Sequence, residues 1–183
     1  MKLGVFIGSF NPVHEGHINM VNYLLEKRIV DRILIVATTD YWDKTNLVDL
    51  KHRINMLKFF QSENIIIDET HNTIPYTCDL MKELSKEYDD ELYLIIGADN
   101  IINFDKWKNY EELLQYKIIV MNRDNLNIEE YITKYNTSNF IVLSDYPFIN
   151  VSSTEIRNNL DNRYLDKRVL EYIKKNNLYE RQD

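Results

Sequence analysis

Short apolar runs rich in β-branched residues alternate along this chain with segments of helical periodicity, and that alternation narrows the fold more than any other feature. The runs occupy residues 3–7, 33–37, 65–67, 92–96, 118–121 and 140–143. They are apolar at successive positions, as strands covered on both faces are. Between them Ile18, Val21 and Leu25 recur at helix spacing, as do Leu50, Ile54 and Leu57, and then Met81, Leu84 and Tyr88. Leu165, Val169, Tyr172 and Ile173 repeat the pattern near the C-terminus. Strands and helices in alternation predict parallel βαβ units with right-handed crossovers. The expected class is α/β, a doubly wound parallel sheet of five to six strands with helices on both faces.

At 183 residues, 44% hydrophobic and 28% charged, the chain is sized for a single domain spanning 1–183. The C-terminal helices from about residue 153 are expected to belong to that same domain. No repeat or low-complexity run interrupts it. The single cysteine, Cys78, excludes a disulfide within the chain. The opening apolar run is too short for a signal peptide and no stretch approaches a membrane span. A cytoplasmic location is therefore expected, with no membrane partner. A formal charge of −7 repels a nucleic-acid backbone, and no dense Lys/Arg run offsets it. Small anionic ligands fit better than a polynucleotide. Self-association as a homo-oligomer is left open.

A Rossmann-like sheet binds its ligands beyond the carboxyl ends of the strands, near the point where strand order reverses. The segments to read are therefore 8–17, 38–46, 97–107 and 121–123, with 150–157 opening a late helix. The first reads Gly8-Ser9-Phe10-Asn11-Pro12-Val13-His14-Glu15-Gly16-His17. Gly8 is expected to turn the chain sharply out of the strand, and Gly16 to leave room for a ligand against the backbone. His14 and His17, three apart at a helix start, project to the same side. Histidines there can meet phosphate oxygens, where the helix dipole already favours negative charge. Two polar surface residues capping a helix would be the plainer explanation, but it does not account for the strand, glycine and paired histidines together. A zinc site lacks a third ligand, since Cys78 lies on a distant helical segment.

Ser152 and Glu155 fit a capping box, which leaves Ser153, Thr154 and Arg157 unexplained. Hydroxyls at a helix N-terminus with an arginine one turn later make a polyphosphate cradle. Gly97 and Asp99 leave the fourth strand, and Trp107 follows eight residues after Asp99. A carboxylate there suits a ribose diol, or else caps a helix. Trp107 could equally be a core aromatic.

The first segment resembles the H-x-G-H signature of the adenylyl- and cytidylyltransferase superfamily. Residues 152–157 resemble that superfamily's S-S-T-x-x-I-R motif. Gly97, Asp99 and Trp107 resemble the G-x-D…W arrangement of nicotinate-nucleotide adenylyltransferases, and Ile74-Pro75-Tyr76-Thr77 resembles their P-S-Y-T element. Arg53-Ile54-Asn55-Met56-Leu57 is similar to their R-x-x-M-L helix, and Arg123 follows the fifth strand as theirs does. The resemblance implies transfer of the adenylyl group of ATP, carried with Mg2+, to nicotinate mononucleotide, giving deamido-NAD and pyrophosphate. Because a phosphate monoester is already an anion, alignment and charge stabilisation would suffice.

By the same resemblance His14, His17 and Lys44 are catalytic. Gly8, Ser9, Phe10, His14, His17, Gly97, Asp99, Ser152, Ser153, Thr154 and Arg157 bind ATP. Asn11, Lys44, Tyr76, Thr77, Trp107 and Arg123 bind the acceptor. No residue is assigned to a metal. Three departures stand out: Tyr41-Trp42-Asp43-Lys44 replaces Pro-Pro-His-Lys, Asn11 replaces a frequent aspartate, and Lys108 follows the tryptophan where relatives often carry an aromatic. Nicotinamide mononucleotide or phosphopantetheine as acceptor, or an inactive nucleotide sensor, remain alternatives.

Overall fold

The computed structural model describes residues 1–39, 47–123, 125–159 and 163–180. All six apolar runs form strands: β1 (Lys2–Gly8), β2 (Arg32–Ala37), β3 (Ile65–Ile67), β4 (Glu91–Gly97), β5 (Lys117–Met121) and β6 (Phe140–Leu143). They make one wholly parallel sheet of order β3-β2-β1-β4-β5-β6. Val5 at its centre stands level with Leu34 on one side and Leu94 on the other. The order reverses between β1 and β4, so Gly8 and Gly97 end neighbouring strands at the switch point.

Alternate strand residues feed two cores. Phe6, Ile33, Ile35, Ile95 and Ile119 face one layer; Val5, Leu34, Val36, Leu94 and Val120 face the other. The first layer is closed by α1 (Glu15–Glu26), α2 (Leu50–Leu57), α7 (Ser153–Asn159) and α8 (Lys167–Lys175), through Val21, Leu24, Ile54, Ile156 and Val169. The C-terminal helices thus share a core with the first one. The second layer is closed by α3 (Thr77–Glu87), α4 (Ala98–Ile101), α5 (Tyr110–Leu113) and α6 (Ile128–Ile132), and it takes in Cys78 and Phe104. Helices α4, α5 and α6 have four or five residues each, too few for an apolar period to declare itself in the sequence. No helix among the described residues is long and apolar enough to cross a membrane.

Two polar devices fix the strand ends. Arg53 on α2 is 1% exposed, and its guanidinium donates to the carbonyls of Ser9, Thr38 and Val48 at 2.9, 2.7 and 2.9 Å. It ties the exits of β1 and β2 to one cation. After β3, the His71 ring lies between Asp68 (2.6 Å) and Glu87 (2.9 Å). Burial disfavours a charged ring there, but hydrogen bonds to the two carboxylates outweigh it and raise the His71 pKa. The next residue, Asn72, donates to the carbonyl of Ala37 at 2.7 Å and accepts from the Thr39 amide. The loop after β3 thereby braces the end of β2.

Candidate active site

The chain leaves β1 through Ser9 and reverses at Phe10, whose φ of 48° lies in the left-handed region. Such a conformation costs a bulky residue about 1–3 kcal/mol and needs packing to hold it. Phe10 is buried, with its ring edge-on to Phe6 at 5.1 Å and to His17 at 4.9 Å. The turn expected at Gly8 is therefore made two residues later. A Cβ on Gly8 would come within 3.2 Å of the Phe10 ring, so its lack of one leaves that ring its place.

His14 is the N-cap of α1, and His17 is the third residue of that helix. The Gly16 amide donates to His14 Nδ1 and the His14 amide donates to His17 Nδ1, each at 3.1 Å. An amide can only donate, so each ring carries its proton on Nε2 and turns that N–H away from the backbone. The rings stack, with centroids 3.7 Å apart and planes 22° from parallel. Burial and the Arg123 guanidinium lower the His14 pKa to about 4. Burial, then the His14 ring and Arg123, hold His17 well below the ordinary imidazole value. Both rings are neutral donors at physiological pH.

Gly16 has a different role from the one its sequence position suggests. A Cβ there would meet His14 Cε1 at 2.8 Å and Val151 Cγ1 at 3.1 Å. The space is taken by the histidine ring and Val151, not left for a ligand.

Helix α7 docks onto the same loop. Ser152 caps it, accepting from the Glu155 amide at 3.1 Å. Ser153 Oγ donates to the carbonyl of Pro12 at 2.9 Å, and Arg157 donates to the carbonyl of Asn11 at 2.8 Å and to Thr154 Oγ1 at 3.3 Å. Arg123 donates to the carbonyl of Val151 at 3.1 Å. Expected beside the acceptor, Arg123 stands with α7 and the histidine pair. Asn11, also expected at the acceptor, is 3% exposed; its side-chain oxygen accepts from the Tyr179 hydroxyl at 2.6 Å and the Val48 amide at 3.4 Å.

At the end of β4, Gly97 is the N-cap of α4 and exposed Asp99 is its second residue, so Asp99 does not cap the helix. Trp107 follows a short 3-10 turn (Phe104–Lys106), half-buried, its ring 5.3 Å from Phe104. Tyr76 precedes α3 and Thr77 opens it. The catalytic assignment of Lys44 lies outside the described residues. Arg53, Tyr179 and Asn72, which brace this site, carried no sequence assignment to it. Arg53 does stand on the apolar Leu50–Ile54–Leu57 face, where a charge signals a buried partner.

Neutral N–H donors at a helix N-terminus, beyond the switch point of a parallel sheet and beside two arginines, can bind a polyphosphate and stabilise charge gathering on it. The family described as cytidylyltransferase-like matches residues 5–159, which takes in the histidine pair and all but the last helix. The chain belongs to the cytidylyltransferase-like family. Among its relatives in that family, a protein of Acholeplasma laidlawii named "Probable nicotinate-nucleotide adenylyltransferase" is 37% identical, over 96% of both chains. A protein of Fusobacterium nucleatum with the same name is 34% identical, over 96% of this chain and 98% of its own. The fold matches that of the Plasmodium falciparum nicotinic acid mononucleotide adenylyltransferase complexed with NaAD, with a TM-score of 0.81 at 24% identity over 97% of each chain.

Proposed function

We propose that this chain transfers the adenylyl group of ATP to nicotinate mononucleotide, yielding nicotinate adenine dinucleotide and pyrophosphate. The observation that carries the reading is the stacked pair of neutral histidines with both Nε2–H groups free of the backbone. A phosphate oxygen of the acceptor bonds to the α-phosphorus as the bond from that phosphorus to the bridging oxygen breaks. Pyrophosphate leaves with the electron pair. The acceptor is already anionic, so no side chain need remove a proton. His17 donates to the α-phosphate as charge builds, the neutral His14 ring offers a second N–H donor, and the Arg123 guanidinium adds positive potential. The names of relatives 37% and 34% identical over 96% of the chain support nicotinate mononucleotide as the acceptor.

Among the described residues no group of three His, Cys, Asp or Glu is placed to hold a metal ion. The residues fit Mg2+ as a companion of the triphosphate, which supplies its oxygens together with water. Bound so, it would neutralise charge on the departing pyrophosphate. Asp99 is proposed to accept from the ribose hydroxyls, and Ser153, Thr154 and Arg157 to exchange their present partners for the β- and γ-phosphates. Arg157→Ala then raises the KM for ATP about tenfold or more and that for the acceptor much less, since a charge-assisted contact is worth about 1.5–3 kcal/mol. An unchanged ATP KM would leave α7 a capped helix that merely pins residues 11 and 12.

Trp107 is proposed to stack on the pyridinium ring, adding a cation–π attraction of about 0.5–2 kcal/mol. Trp107→Ala should raise the acceptor KM about tenfold with little change for ATP, and Trp107→Phe should recover part of the loss. Loss of thermal stability with an unaltered KM would make Trp107 a core partner of Phe104 only. Pyrophosphate release with ATP and a panel of nicotinate mononucleotide, nicotinamide mononucleotide and phosphopantetheine tests the whole reading. The first acceptor should give the highest kcat/KM; silence with all three would favour a nucleotide sensor.

A further inference from the structure

The residue after the proposed pyridine-stacking tryptophan is Lys108, and its side chain runs from the Trp107 turn to the start of α3. The ammonium lies 4.4 Å over the ring of Tyr76 and 3.5 Å from Asp79 Oδ2 in the first turn of that helix. It therefore joins the two elements assigned to the acceptor. Tyr76 caps α3 without a side-chain hydrogen bond to the helix, so the first amides of α3 add partial positive charge on the same side. Lys108 and Asp79 keep 48% and 41% of their side-chain surface in solvent, and an ion pair so exposed is weak and readily exchanged.

We propose that Lys108 and Asp79 set the choice between a carboxylate and a carboxamide on the acceptor's pyridine ring, with Lys108 the residue that selects the acid. The proposal rests on the acceptor reading above and names the group that would discriminate within it. The substituent of a ring stacked on Trp107 is placed, on this proposal, within reach of the long Lys108 side chain, which ends over Tyr76 at the start of α3. A carboxylate there draws the Lys108 ammonium off Asp79 and forms a new charge-assisted contact. A carboxamide gains no ion pair from Lys108, and its NH2 group can donate to Asp79. The two charges thus favour opposite acceptors, and the cation, longer and backed by the α3 amides, prevails. Discrimination of this kind comes as much from the group that rejects as from the group that attracts.

The test is the ratio of kcat/KM for nicotinate mononucleotide to that for nicotinamide mononucleotide, with ATP saturating and circular dichroism as the folding check. Lys108→Gln should lower the ratio about tenfold through a higher KM for the acid. Lys108→Arg should restore most of it. Asp79→Asn should move the ratio the other way, raising it a few-fold, which a merely structural role for the pair would not produce. Raising ionic strength should shrink the wild-type preference, because the pair is exposed. A wild-type preference for the acid that Lys108→Gln leaves within twofold overturns this proposal and spares the acceptor reading. A wild-type protein that joins neither pyridine nucleotide to ATP overturns both.

Discussion

His17→Ala lowers kcat by two to three orders of magnitude while the far-ultraviolet circular dichroism stays close to wild type and the melting temperature falls only by the few degrees that loss of the His14 amide's acceptor entails. The expectation follows from geometry at the start of α1. The His14 amide supplies a hydrogen to His17 Nδ1, which commits the ring proton to Nε2 as a donor on the side of the ring away from that amide. Removing one such donor to a developing oxyanion costs about 3 kcal/mol or somewhat more. Asn at this position should recover part of the rate, since an amide can still donate. Protonation is no substitute for the ring: it would place a second hydrogen on Nδ1, facing the backbone N–H already there. Turnover therefore should show no step at the ordinary imidazole pKa, and kcat measured across that range checks that the ring stays neutral. An alanine variant with near-normal kcat would take His17 out of the mechanism.

Arg53→Met is expected to cost about 3–5 kcal/mol of stability. Three partly buried carbonyls, of Ser9, Thr38 and Val48, would lose their donor at once. Each unsatisfied group costs about 1–3 kcal/mol, partly relieved by relaxation or entry of water. For a chain of 183 residues that corresponds to a fall in Tm of about 10 °C or more. Because those carbonyls close β1 and β2 beside the histidine loop, the surviving folded enzyme should also bind ATP less well. Arg53→Lys should rescue little, since a single ammonium cannot reproduce the fork that spans the three oxygens. A Tm within 2 °C of wild type for Arg53→Met would refute this bracing role.

The sheet was legible because its strands are parallel and covered on both faces, so each reads as an unbroken apolar run. The histidine pair was legible because its partners are three residues apart on one helix. Contacts that span the chain were not. The Tyr179 hydroxyl reaches the Asn11 side chain across 168 positions, and no local pattern announces such a pairing. Glycines gave location without meaning. Gly16 belongs to the motif, yet what it accommodates is the neighbouring His14 ring, and only the folded backbone reveals that. Arg123 follows β5 as the sequence indicates, but that its guanidinium reaches the Val151 carbonyl and acts on the histidine pair is visible only in the fold. Side-chain direction at a strand end depends on what packs beside it, and α7 arrives there from late in the chain.

Adenylyl transfer by an aligned, direct displacement at the α-phosphorus of ATP has one decisive test. Parallel incubations of the protein with nicotinate mononucleotide and ATP labelled at either the α- or the γ-phosphate test it most directly. The α-label should appear entirely in a dinucleotide and the γ-label entirely in pyrophosphate, in equal amounts from the first turnover. Release of γ-label as inorganic phosphate, or transfer of γ-label to the acceptor, would contradict the account.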